Sequence, residues 1–129
     1  MSKKKFYFDF SYWSHDQFMV DEETGMFEKD SPASPYASQT TVYNDLGKGV
    51  LDNAWDGYHT CLFAYGQTGS GKSYSIFGYD ANIGIIPMCC AEIFSRLESQ
   101  DQTKIRQTVT VSMLEIYNEC VQDLFMRAD

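Results

Sequence analysis

The sequence predicts an α/β domain, and three observations carry that reading. Thr60-Cys61-Leu62-Phe63-Ala64-Tyr65 is a continuous apolar run of strand length, as expected of a strand covered on both faces of a parallel sheet. An amphipathic helical pattern precedes it over Ser38–Asp56. A glycine-rich segment, Gly66 to Ser73, follows it, ahead of a second helical stretch near Pro87. The order strand, helix, strand, helix, strand is that of an α/β domain, and 129 residues suffice for one.

Each element has a local reason. Phe6, Phe8 and Phe10 alternate with Lys5, Tyr7 and Asp9, a strand signal over residues 5–10. Residues 14–37 hold charges, Thr24-Gly25 and the pairs Ser31-Pro32 and Ser34-Pro35 without periodicity, and read as a long loop. From Ser38 to Asp56, Val42, Leu46 and Val50 recur every four residues, with Tyr43, Leu51, Ala54 and Trp55 widening the apolar face. Gly47 and Gly49 weaken that helix, and Gly57 is placed to end it. Gly78 to Gly84 reads as a second loop. Pro87 then sits near the first turn of a helix, where its missing N–H costs nothing. Ile86, Cys89, Cys90, Ile93, Phe94 and Leu97 mark the stripe expected to be buried, and Arg96 reads as an exposed helix residue. Gln107 to Tyr117 alternates Val109, Val111 and Met113 with Thr108, Thr110 and Ser112, a strand. Val121 to Phe125 reads as a short apolar turn or helix.

Bulk properties narrow the function. The chain is 43% hydrophobic and 16% aromatic, the composition of a folded protein. No apolar run approaches the roughly 20 residues needed to span a bilayer. Phe6 to Phe10 is too short and too polar for a signal-peptide core. A soluble, intracellular protein without membrane insertion is expected. The formal charge of −8 argues against nucleic-acid binding, which demands clustered Lys and Arg. Cys61, Cys89, Cys90 and Cys120 form no CxxC pair and have no histidine at ligand spacing, so reduced, mostly buried thiols are expected rather than a zinc site. His15 and His59 sit near no obvious nucleophile.

Gly66-Gln67-Thr68-Gly69-Ser70-Gly71-Lys72-Ser73 matches G-x-x-x-x-G-K-[ST] at every fixed position. Successive backbone N–H groups cradle a polyphosphate, so glycines must let the main chain approach and take unusual torsions. Lys72 would reach the β- and γ-phosphates, and the Ser73 hydroxyl would ligate Mg²⁺. At ordinary residue frequencies a random chain of this length matches about 0.4% of the time. A strand before the motif and a helical turn, Tyr74-Ser75-Ile76-Phe77, after it make chance a poor account.

The flanking residues point further. "FAYGQTGSGKSYS", then "GIIP", then "LEIYNE" at residues 114–119 resemble the kinesin motor domain in that order and at comparable intervals. "FDFSYWSH" at 8–15 and "ASQ" at 37–39 are similar to the third, vesicle-transporting class of kinesins. The resemblance runs from Phe6 to Phe125. It implies a three-layer P-loop NTPase fold with a central, mostly parallel sheet, incomplete in these residues. It also implies ATP and Mg²⁺ as cofactors, microtubules as the partner, and a place in the cytoplasm on the cytoskeleton. Gln67 to Ser73 would wrap the phosphates. Tyr74 stands where the family's aromatic or histidine stacks on adenine, and it suits a core tyrosine as well. Glu115 to Glu119 would end a central strand and act structurally. Gln122 stands where many members carry a basic residue, which puts a salt bridge there in doubt.

Several family strings do not occur in residues 1–129: the R-x-R-P adenine platform, the N-x-x-S-S-R-S-H switch and the D-L-A-G-S-E switch. With them would come the water-positioning and γ-phosphate-sensing groups. The expectation is therefore the ATP-binding part of a microtubule-dependent ATPase, with no catalytic residue of its own. Alone it is expected to be inactive, marginally stable or prone to associate through unpaired strand edges. A nucleotide-binding regulatory module without motility is the second reading. A small phosphotransferase is the third, but Arg96, Arg106 and Arg127 are too scattered to form a catalytic lid.

Overall fold

The computed structural model describes residues 3–100 and 106–126. The chain divides at Arg96 into a larger N-terminal unit and a smaller C-terminal one.

In the larger unit the first pairing is an antiparallel hairpin of β1 (Phe18–Val20) and β2 (Phe27–Lys29), with Met19 opposite Glu28. Asp21 shapes its turn, accepting from the Thr24 amide at 2.7 Å and the Thr24 hydroxyl at 2.7 Å. Phe18 packs on Phe27 and Tyr36, with ring centroids 4.8 and 5.3 Å away. The stretch 14–37, read as loop, therefore contains a hairpin. Its strands are three residues each, too short to show a period, and the turn sets their register.

Ser38 caps the next helix, its side chain accepting from the Thr41 amide at 3.3 Å. α1 (Gln39–Val42) runs through a π-helical turn (Tyr43–Gly47) into α2 (Lys48–Trp55), and Gly57 follows with φ 92°. The π turn has a steric counterpart: a Cβ on Gly47 would lie 2.7 Å from Tyr43 Cδ2 and 3.1 Å from Ile85 Cγ2. The bare backbone there lets the buried Tyr43 ring lie against the rod.

After the glycine-rich segment come α3 (Lys72–Ile76), β3 (Gly78–Tyr79), β4 (Asn82–Ile83) and α4 (Ile85–Ser99). The second predicted loop is thus a tight antiparallel hairpin, closed by the Gly84 amide on the Phe77 carbonyl at 2.9 Å. Tyr36, Ala37, Tyr43, Leu51 and Ile85 form the apolar core.

α4 is rotated from the expected stripe. Ile85 is buried and Cys89, Glu92, Ile93 and Arg96 are half-buried, whereas Ile86, Cys90 and Phe94 are exposed. Arg96, expected in solvent, explains the rotation. Its Nε donates to Glu92 Oε1 at 2.9 Å, its Nη2 donates to Asp52 on α2, and its guanidinium carbon lies 5.5 Å from the Trp55 ring centre. A paired guanidinium over an aromatic face covers apolar surface as a hydrophobic residue would.

The strands expected at 5–10 and 60–65 make no ladder among the described residues, and Phe63 is 81% exposed. A strand needs a neighbour to take its N–H and C=O groups, and parallel neighbours arrive only through crossovers. Among the described residues all three sheets are antiparallel hairpins, and the parallel contact is a single Trp13–Tyr36 bridge. The expected mostly parallel central sheet is not formed by these elements. Cys61, Cys90 and Cys120 are exposed and Cys89 is half-buried, so the thiols are free as expected but not mostly buried.

The smaller unit holds one antiparallel hairpin, β5 (Leu114–Tyr117) with β6 (Cys120–Asp123). Asn118 and Glu119 turn it with φ 48° and 58°, a two-residue connection with both centres left-handed. The Leu124 amide donates to the Met113 carbonyl at 2.8 Å. The strand read over 107–117 is confined to its last four residues, and the turn or helix read from Val121 is a strand through Asp123. Glu115 stands opposite Gln122, so an amide occupies the place across from that carboxylate.

Candidate nucleotide site

The segment Gly66–Ser73 curls rather than running straight. The Ser70 amide donates to the Gln67 carbonyl at 3.2 Å, and Gly71 caps α3 in the left-handed region with φ 88°. A Cβ at Gly71 would oppose that torsion, so glycine is required there. The Lys72 side chain folds over the curl, its Nζ donating to Gly66 O at 2.8 Å and Gln67 O at 2.6 Å. An ammonium carries three donors, so Lys72 holds the ring shut and still presents one N–H outward.

The loop amides decide what the curl can hold. Among the described residues, the N–H groups of Thr68, Gly69, Gly71, Lys72 and Ser73 have no protein acceptor. These residues, with Tyr74, line a hollow of about 470 Å³. The lining offers donors, one ammonium and two hydroxyls from Thr68 and Ser73, and no carboxylate. Such a donor set suits an anion, because unpaired backbone N–H groups in a concavity carry fixed positive partial charge. Among the described residues no three His, Cys, Asp or Glu side chains gather as a metal site.

Tyr74 is half-buried and borders two hollows. One is the loop hollow. The other, about 240 Å³, is lined by Tyr12, Gln39, Val42, Leu46 and Leu62 among others. Burial, then the neighbouring Tyr74 hydroxyl, pushes the Tyr36 phenol up to about 12. Tyr74 therefore has a packed side and a side toward the loop.

Three supporting residues were not among the sequence candidates. Asn82 is buried, its Oδ1 accepting from the Phe27 amide at 2.8 Å and its Nδ2 donating to Gly25 O at 3.3 Å. Gln39, also buried, donates from Nε2 to the Tyr74 carbonyl and to Asn82 O at 3.4 Å. Tyr36 is the third. These contacts tie the β1–β2 hairpin, the β3–β4 hairpin and α3 to the start of α1. The one sequence signal is position: Gln39 follows the capping Ser38 in the string "ASQ".

The chain is similar to known proteins over nearly its whole length. The profile of the kinesin motor domain matches residues 3–129. The kinesin-like protein KIF28 of Rattus norvegicus is 52% identical over 124 residues, which are 96% of this chain and 12% of that protein. Kinesin-related protein 1 of Dictyostelium discoideum is 52% identical over 95% of this chain and 5% of its own length. KIF1B of Homo sapiens is 44% identical over 94% of this chain and 6% of its own. A solved KIF14 dimer, with AMP-PNP and in complex with a microtubule, is 41% identical with a TM-score of 0.67, over 93% of this chain and 29% of that one. KIF14 with ADP in complex with a microtubule gives 0.58 over 79% of this chain and 28% of that one. The chain thus spans a small part of the length of these relatives. A match that runs from residue 3 to residue 129, with the solved KIF14 dimer similar over nearly the same span, settles the matter: this chain belongs to the kinesin motor domain family, and its fold is that of the P-loop NTPases.

Proposed function

We propose that this chain is the ATP-binding part of a microtubule motor, in which ATP hydrolysis drives movement along microtubules. The observation that carries the reading is the set of amides in Gly66–Ser73 that curl around a hollow without protein acceptors. ATP's phosphates take those N–H groups, of Thr68, Gly69, Gly71, Lys72 and Ser73 within the wrap from Gln67 to Ser73, with the outward N–H of Lys72 on the terminal phosphates. Tyr74 packs beside the adenine from the edge of the same hollow.

Mg²⁺ is a hard cation that takes oxygen ligands and keeps several waters. The Ser73 hydroxyl is the residue here that would hold it, beside water and phosphate oxygens. Bound there, the ion would supply charge neutralisation to the phosphate oxygens. The chain's own contribution is to bind and orient: a closed loop, a positioned lysine and a hydroxyl. Microtubules as partner and the cytoskeleton as location follow from kinship with proteins solved on microtubules. The sheet proposed for the complete domain is a central, mostly parallel one in which Thr60–Tyr65 finds its neighbours.

Binding of ATP with Mg²⁺, measured by calorimetry, tests the reading. Lys72→Ala should weaken ATP by about 1.5–3 kcal/mol, the usual worth of a charge-assisted hydrogen bond. Equal affinity of wild type and variant would remove Lys72 from the site.

A further inference from the structure

We infer that Gln39 is a positioning residue for the phosphate loop: its side-chain amide holds the Tyr74 carbonyl, midway along α3, and through it the placement of Lys72 and Ser73. The inference rests on the reading of that loop as an ATP site.

α3 has five residues, far below the roughly 12–15 a helix needs to persist in water, so its shape depends on what it is tied to. Its beginning is the curled loop. At its end the chain turns into β3, and among the described residues no amide four positions on reaches the Tyr74 carbonyl. That acceptor is met by Gln39 Nε2, from 35 residues away in sequence. The same nitrogen reaches Asn82 O, just past the tip of the β3–β4 hairpin. One NH₂ group with two donors therefore fastens two carbonyls, one before the hairpin and one within it. Gln39 is only 8% exposed, and burying an amide is tolerated when its groups are paired.

The consequence for binding is geometric. Lys72 and Ser73 immediately precede Tyr74 on the same single turn, so a shift of that carbonyl carries both toward or away from the loop amides. Asn82 in turn holds the β1–β2 hairpin through Gly25 and Phe27. The hold at Gln39 is thereby anchored on two sides.

The test is amide hydrogen exchange in the intact chain, read residue by residue, with ATP affinity measured in parallel. In Gln39→Met, which keeps length and removes both donors, protection at the Ser75 and Phe77 amides should fall about tenfold or more, the effect of stranding a carbonyl. Protection at Asp56, which ends α2, should stay within error, and ATP affinity should fall with the α3 amides. Uniform loss at all three amides would mean a general loss of stability and overturn the inference, as would no loss at all. Gln39→Glu guards against a variant that fails to fold. Ionised, it has no donor; protonated, it donates one hydrogen bond. Its α3 protection factors should recover as pH is lowered, relative to wild type, and failure to recover overturns the inference. Wild type that does not bind ATP while the exchange pattern holds sinks the ATP reading and leaves Gln39's grip on α3 standing. Wild type that binds ATP with unchanged exchange in Gln39→Met sinks the grip alone.

Discussion

Two stretches of the larger unit obey opposite rules. The rod from Gln39 to Trp55 completes its hydrogen bonds within its own sequence, so an apolar cover over Tyr43 and Leu51 is enough to fix it. Thr60–Tyr65 is more continuously apolar, and it makes no ladder among the described residues, with Tyr65 94% exposed. A strand's donors and acceptors point sideways, so its order depends on what lies beside it. Hydrophobicity says which residues would gain from burial. The location of hydrogen-bond partners says which of them achieve it.

The comparison breaks most sharply at Asn82. Asn82→Ala strands the Phe27 amide and the Gly25 carbonyl and should cost about 3 kcal/mol, at roughly 1–3 kcal/mol for each stranded group. Phe63→Ser, made in the apolar but exposed stretch, should stay within about 0.5 kcal/mol, as surface substitutions do. Urea melts of the two variants measure both. If the phenylalanine change proved the costlier, Thr60–Tyr65 would be covered in solution and the contrast between the regions would fail.

That contrast also explains how far the sequence could be read. The curl of the glycine-rich segment was legible because its geometry is local: Gly66, Gly71, Lys72 and Ser73 stand at fixed spacing, and the curl needs little else. The helix over Ser38–Asp56 was legible for the same reason, down to its Gly57 end. The β1–β2 and β5–β6 hairpins were not, since strands of three and four residues are too brief to show a period. Gln39 and Asn82 were missed because burial of an amide and the identity of its partner are properties of tertiary contact. Arg96 was misread likewise: its charge says solvent, and only Asp52, Glu92 and Trp55 together make the inner face acceptable.

A finer cut tests the rod itself. Gly49→Ala meets nothing within 4 Å and should stabilise by about 0.5–1 kcal/mol, the ordinary gain in helix propensity. Gly47→Ala makes the same propensity gain, yet its methyl would meet the Tyr43 ring at 2.7 Å. Overpacking costs typically about 1–3 kcal/mol, which reverses the sign to a net loss of about 1 kcal/mol. Thermal melts of the pair should shift in opposite directions. A shift upward in both would show that Tyr43 moves aside and that the π turn does not depend on glycine.

The smallest expected effect lies where α4 meets α2. The Lys48 ammonium, and then the Arg96 guanidinium, hold the Asp52 carboxyl below the usual carboxylate range. Glu92 shares Arg96 from the α4 side. A carboxylate depressed in the folded state stabilises fully above its unfolded value, near 3.9, and loses that contribution as pH falls through the folded value. Melting temperature should therefore drop more steeply below about pH 4 in wild type than in Asp52→Asn, which has no proton to take up there. The effect is modest because the Asp52 side chain is 45% exposed and solvent screens the pair. Asp52→Asn should also lower stability slightly at neutral pH, so the two curves converge toward acid. Parallel curves would mean that Arg96 is held by Glu92 and the Trp55 face alone, and that the rod and α4 meet through packing rather than charge.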